Sequence, residues 1–81
     1  MKYIMYSING VKVPILFSKL IKHDEMAQAT QPLIVKTFLE KIPNIVSAGE
    51  YDPEIGVVYG ESVSLKLHHD PDDLEVIKRL S

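Results

Sequence analysis

Cysteine is absent from the 81 residues. That excludes disulfide staples, thiolate zinc sites and cysteine nucleophiles, and in so small a domain it fits a reducing compartment. No apolar run approaches the length of a membrane span. The N-terminal stretch MKYIMYSINGVKV has neither the continuous apolar segment nor the small-residue cleavage site of a signal peptide. Basic blocks are missing too, with 9 Lys and Arg against 11 Asp and Glu and a net charge of −2. Duplex nucleic acid calls for a concentrated positive footprint. There is no nucleophile elbow, phosphate-binding glycine loop or paired-histidine helix. These absences lead us to expect a soluble, cytoplasmic protein that is not an enzyme and carries no cofactor. They also argue against duplex nucleic acid or a membrane as its partner.

What is present is a globular composition, 46% hydrophobic and 25% charged. A chain of this length has one core, so residues 1–81 are expected to form a single domain. The clearest local signal is KYIMYSI-NG-VKVPILF, two β-rich runs around an Asn-Gly pair that favours a type I′ hairpin turn. That turn pairs Ile8 with Val11, Tyr6 with Val13 and Ile4 with Ile15, all on one face, the expected core face. Tyr3, Met5, Pro14 and Leu16 share the other face. Pro14 cannot donate to a ladder, so its strand should lie at an edge or carry a bulge.

Residues 18–44 turn helical, with Asp24 as the expected cap and Met26, Ala29, Leu33, Phe38 and Ile42 along one side. Pro32 predicts either two short helices or one kinked helix. IVSAGEY and VVYGES read as a second hairpin, with Tyr51 facing Val57, Gly49 opposite Tyr59 and Ser47 opposite Glu61. Val63, Leu65 and Leu67 continue as a strand. Asp70-Pro71-Asp72-Asp73 then opens a helix with a cap, a first-turn proline and early acids, and Leu74, Ile77 and Leu80 form its stripe. The order is ββαββα, an α+β domain with one antiparallel sheet and both helices packed on one side.

Adjacent strand residues point to opposite faces, so His68 and His69 cannot share a metal ion without a bulge, and His23 stands at no ligand spacing from them. No metal site is expected. Among the acids, Asp70, Asp72 and Asp73 are explained by helix capping, while Glu61 sits between Gly60 and Ser62 at a strand end. Ser47 and Gly49 facing Tyr59 and Gly60 leave little bulk, which lets a ligand approach the backbone. Tyr59 offers a ring, Ser62 and Ser64 offer hydroxyls, and Lys66 beside His68 offers cationic donors. The same small residues are also what aromatic cover over a strand glycine would need. The apolar Tyr3, Met5, Pro14 and Leu16 suggest an interface of a homo-oligomer.

At VSAG (46–49), YGES (59–62), SLKL (64–67) and PDD (71–73) the chain resembles a group of small, uncharacterised accessory proteins of tailed phages and prophages. The likeness covers the first hairpin and residues 45–80. The group carries a serine-arginine pair before its proline-led helix, where this chain has His68, His69 and Asp70. An anion-binding role for that arginine therefore has no counterpart here, and segment 27–44 is longer than in the group. The resemblance implies a phage accessory protein that antagonises host defence. The leading expectation is sequestration of a nucleotide-derived immune signal by a homo-oligomer. Its ligand-binding wall would be Ser47, Gly49, Tyr59, Gly60, Glu61, Ser62, Ser64, Lys66 and His68. The rival is a protein-surface inhibitor of a host defence complex that takes no small molecule, and a third class is a hydrolase using Glu61 and a histidine.

Overall fold

A computed structural model describes residues 1–38 and 43–80. Asn9 and Gly10 have φ of 52° and 80°, as a type I′ turn requires. They join β1 (Lys2–Ile8) to β2 (Val11–Phe17) in the expected register, with Ile8 opposite Val11 and Ile4 opposite Ile15. With β3 (Asn44–Asp52) and β4 (Val57–Tyr59) they form a four-stranded antiparallel sheet of order β2-β1-β3-β4. Pro14 therefore lies on an edge strand. A short ladder pairs β5 (Glu61–Ser62) with β6 (Leu67–His68). Helices α1 (His23–Phe38) and α2 (Asp73–Leu80) complete the α+β domain. None of the described helices is long and apolar enough to cross a membrane.

The layering differs from expectation. Ile4, Tyr6 and Ile8 pack with Phe17 and with Ala27 and Ile34 of α1. Tyr3 and Met5 pack on the opposite face with Val76 and Ile77 of α2. The helices thus cover opposite faces of β1, and the proposed interface patch is a second core. Tyr3 and Met5 have no exposed surface, Pro14 is half-buried, and only Leu16 of the four is exposed. The physical reason lies in β1 itself: a strand apolar on both faces needs cover on both. Within α2 the buried residues are Asp73, Val76 and Ile77, whereas Leu80, expected in the apolar stripe, is exposed.

Helix α1 runs unbroken through the exposed Pro32. Its buried residues are His23, Ala27 and Ile34, while Ala29, Leu33 and Phe38 of the expected stripe are exposed and Met26 is half-buried. Ile42 lies outside the described residues. Besides Ile34, which lies off the expected stripe, contact is made through a small residue and a histidine, which leave no mark in a hydrophobic periodicity. Asp24 does not cap the helix: its Oδ1 is buried without a hydrogen-bond partner. The Glu25 carboxylate instead accepts the Lys22 N–H at 3.4 Å, the reciprocal half of a capping box.

The second hairpin is shifted by one residue, with Glu50 opposite Tyr59, Tyr51 opposite Val58 and Asp52 opposite Val57. Asp52 closes the loop as the last residue of β3. Its carboxylate accepts the N–H of Glu54 at 2.9 Å and of Ile55 at 3.3 Å, and its carbonyl accepts Gly56 N–H at 2.8 Å. Gly49 and Ser47 consequently do not face Tyr59 and Glu61. A bulge also divides β3: Met5 pairs with Ser47 and Tyr6 with Ile45, leaving Val46 unpaired. In a regular strand Ile45 and Ser47 would share a face. The extra residue sends Ile45 to the α1 core and Ser47 to α2.

Candidate functional site

Residues 63–66 form a turn rather than the expected strand. Ser62 is buried and its Oγ accepts Leu65 N–H at 3.2 Å, with Ser64 Oγ at 3.3 Å. Lys66 takes a left-handed φ of 56° and its N–H reaches the Val63 carbonyl at 3.3 Å. Lys66 and His68 therefore do not alternate along one strand face. The turn swings Val63 and Ser64 toward the start of α1, and with Glu61 they line a cleft of about 450 Å³. Lys2, Lys22, His23 and Glu50 complete its wall. That volume falls in the range of small-molecule sites, roughly 300–1,000 Å³.

The chemistry of the cleft is mixed. Lys2 Nζ donates to the Ile21 carbonyl at 3.0 Å and keeps two further N–H groups. Among the described residues, the Lys22 ammonium has no hydrogen-bond or ion-pair partner. Glu50, the cross-strand partner of Lys2, and Glu61 line the same cleft. His23 is held in place, its Nε2–H donating to the Gly49 carbonyl at 3.0 Å and its ring edge-on to Phe17 at 5.5 Å.

Of the nine residues expected in the ligand wall, Glu61 and Ser64 line this cleft. Ser47 and Ser62 are buried and engaged internally. Gly49 has no open side: a Cβ there would stand 2.6 Å from the Tyr59 carbonyl and 2.9 Å from His69 Cβ. Tyr59 lines a different, smaller cleft with Tyr51, Asp52 and Glu54. Gly60 is a left-handed corner with φ 74°, and its carbonyl accepts both the backbone N–H (3.1 Å) and the Nδ1–H (2.8 Å) of His69. His68 and Lys66 are exposed and outside the cleft lining. His68 Nδ1–H donates to the His69 carbonyl at 2.9 Å.

A polar centre that the sequence reading assigned to capping lies under α2. Asp73 is fully buried. Its Oδ2 accepts Ser47 Oγ–H at 2.5 Å, Tyr3 O–H at 2.7 Å and Asp70 N–H at 3.3 Å, while Lys12 Nζ approaches Oδ1 at 3.3 Å. Burial, then donation to Asp73, pushes the Tyr3 phenol far above its ordinary value. Partial desolvation pulls the Lys12 ammonium down, but its bonds to Asp73 and Asp70 outweigh that and hold it raised. Asp70 caps α2 by accepting Asp72 N–H at 2.9 Å. That bond first, and Lys12 at 3.6 Å after it, keep the Asp70 carboxyl below its ordinary value. The signal for this centre was the Asp70–Asp73 spacing, a capping box whose second acid points back into the molecule. Comparison of the chain with family profiles, curated proteins and solved structures gave no match.

Proposed function

We propose that the chain is a binding protein that holds a small nucleotide-like ligand in the cleft lined by Lys2, Lys22, Glu50, Glu61 and Ser64, and sequesters it without turnover. The observation that carries this reading is the pairing of two ammonium groups with two carboxylates in one cleft of about 450 Å³. A phosphate can take N–H donors from Lys2 and Lys22. A nucleobase presents N–H donors that Glu50 or Glu61 can accept. The charges of the lining sum to nearly zero, so a polyphosphate gains little from long-range attraction and meets repulsion from both glutamates. A cyclic or diester phosphate, with one negative charge per phosphorus, suits the cleft better.

Joined to the resemblance to tailed-phage accessory proteins, the reading extends to removal of a nucleotide-derived immune signal in the cytoplasm of a host cell. Native mass spectrometry on protein purified from that host tests it. The expected spectrum shows one added small-molecule mass per chain. A host protein retained instead, with no small molecule, would replace this reading with that of a protein-surface inhibitor.

A further inference from the structure

A second cleft, sharing no lining residue with the first, opens where the tip of the first hairpin meets α2. It measures about 390 Å³ and is lined by Gly10, Val11, Lys12, Val76, Arg79 and Leu80. Val76 is a buried floor, and Val11 and Leu80 stand exposed at either side, 63% and 65% accessible. Among the described residues no acid is in the lining, although Asp73 and Asp70 reach Lys12 from behind at 3.3 and 3.6 Å. Their two carboxylates outnumber its single positive charge and fix the position of its ammonium, leaving one N–H for another acceptor. Arg79 differs. Its Nε donates to the Glu75 carbonyl at 3.5 Å, and among the described residues its terminal nitrogens have no partner. The C-terminal dipole of α2 opposes an anion here with roughly half a charge. The full charge of Arg79 exceeds that half charge, but the acids behind Lys12 cancel the remainder, so an anion is held here by direct contact with the guanidinium and not by a net positive field.

We infer that this cleft binds a small monocarboxylate with an aliphatic or aromatic body. A guanidinium with no charged partner among the described residues matches one carboxylate, which it can receive bidentately. The remaining Lys12 N–H donates to the same group, and the body covers Val11, Val76 and Leu80. A doubly charged ligand would leave its second charge unmet, and a neutral one would leave Arg79 unused. The occupation of this cleft is independent of the nucleotide reading, which involves none of these residues.

Octanoate is the probe, titrated into the full chain while amide shifts are followed by NMR. The expected result is saturable binding with shifts at Gly10, Val11, Val76 and Leu80. Octanol should bind at least about tenfold more weakly, and Arg79→Gln should weaken octanoate about tenfold, the equivalent of ~1.4 kcal/mol. Arg79 is exposed near the end of α2, and the octanol comparison uses only the wild-type chain. Absence of saturation at millimolar octanoate overturns the inference. So does an equal response to octanol, or an Arg79→Gln chain that binds as wild type.

Discussion

The Tyr3 hydroxyl donates a 2.7 Å hydrogen bond to Asp73 Oδ2, joining residues 70 positions apart. This bond, with Ser47 and Lys12 on the same carboxylate, ties α2 to the sheet face opposite α1. Tyr3→Phe removes one donor from a buried carboxylate and should lower stability by about 1–3 kcal/mol. Asp73→Ala leaves the buried Tyr3 and Ser47 hydroxyls without their acceptor and Lys12 with Asp70 alone, and should cost about 3–5 kcal/mol. Urea unfolding measures both. Equal stability of wild type and Asp73→Ala would mean that α2 is held by Val76 and Ile77 alone.

The same centre sets the alkaline limit. Its Tyr3 and Lys12 are raised in the folded chain, and so is Tyr6 in the α1 core on the other face. An unfolded tyrosine begins to lose its proton near its ordinary value of 10.0 while the folded one retains it. Above that pH the unfolded state binds fewer protons, so stability falls as pH rises. For each group the contribution is complete below its unfolded value and is lost as pH climbs toward the folded one. Tyr3→Phe should flatten the decline, measured as urea midpoints on either side of pH 10.0. An unchanged slope would remove Tyr3 as its source.

Gly49 should tolerate no side chain. Its would-be Cβ meets the Tyr59 carbonyl, which is backbone, and His69 Cβ from the β6–α2 connection. Gly49→Ala must shift β3 from its neighbours and should cost about 1–3 kcal/mol. Thermal unfolding decides this, and a neutral variant would show that β3 is not held close against the Tyr59 carbonyl and the β6–α2 connection.

The two helix starts make a contrasting pair. Asp70 caps α2 through Asp72 N–H, whereas the buried Asp24 Oδ1 has no hydrogen-bond partner. Asp70→Ala should lower the urea midpoint. Asp24→Ala should leave it unchanged or raise it, because an unsatisfied buried oxygen is removed. The reverse order would show that α1 begins on Asp24 after all.

The first hairpin was legible because Asn9-Gly10 dictates turn type and the alternation of Ile4, Tyr6 and Ile8 dictates register. The α+β class followed from element order. The second hairpin was not legible to the residue, because the Val46 bulge and the Asp52 loop closure each shift the count by one. A one-residue slip inverts every face, and that moved Ser47 from the ligand wall into the Asp73 centre. The face of α1 stayed hidden because two of its three buried residues are His23 and Ala27, with Ile34 as the lone large aliphatic among them. Of the candidate cleft, Glu61 and Ser64 were readable. Lys2, Lys22 and Glu50 were not, since Lys2 and Glu50 meet through the β1–β3 pairing, and the turn at 63–66 that carries Val63 and Ser64 to them contains Lys66 at a positive φ no sequence rule anticipates for lysine.

Calorimetric titration of the chain with a panel of cyclic and linear nucleotides tests the central reading most directly. The account predicts one saturable site per chain for a cyclic or diester nucleotide. Lys22→Ala should weaken it by about 1–3 kcal/mol, the range for a charge-assisted hydrogen bond, while Lys66→Ala, outside the cleft, should bind as wild type. No heat from any nucleotide, or equal affinity of wild type and Lys22→Ala, would contradict it.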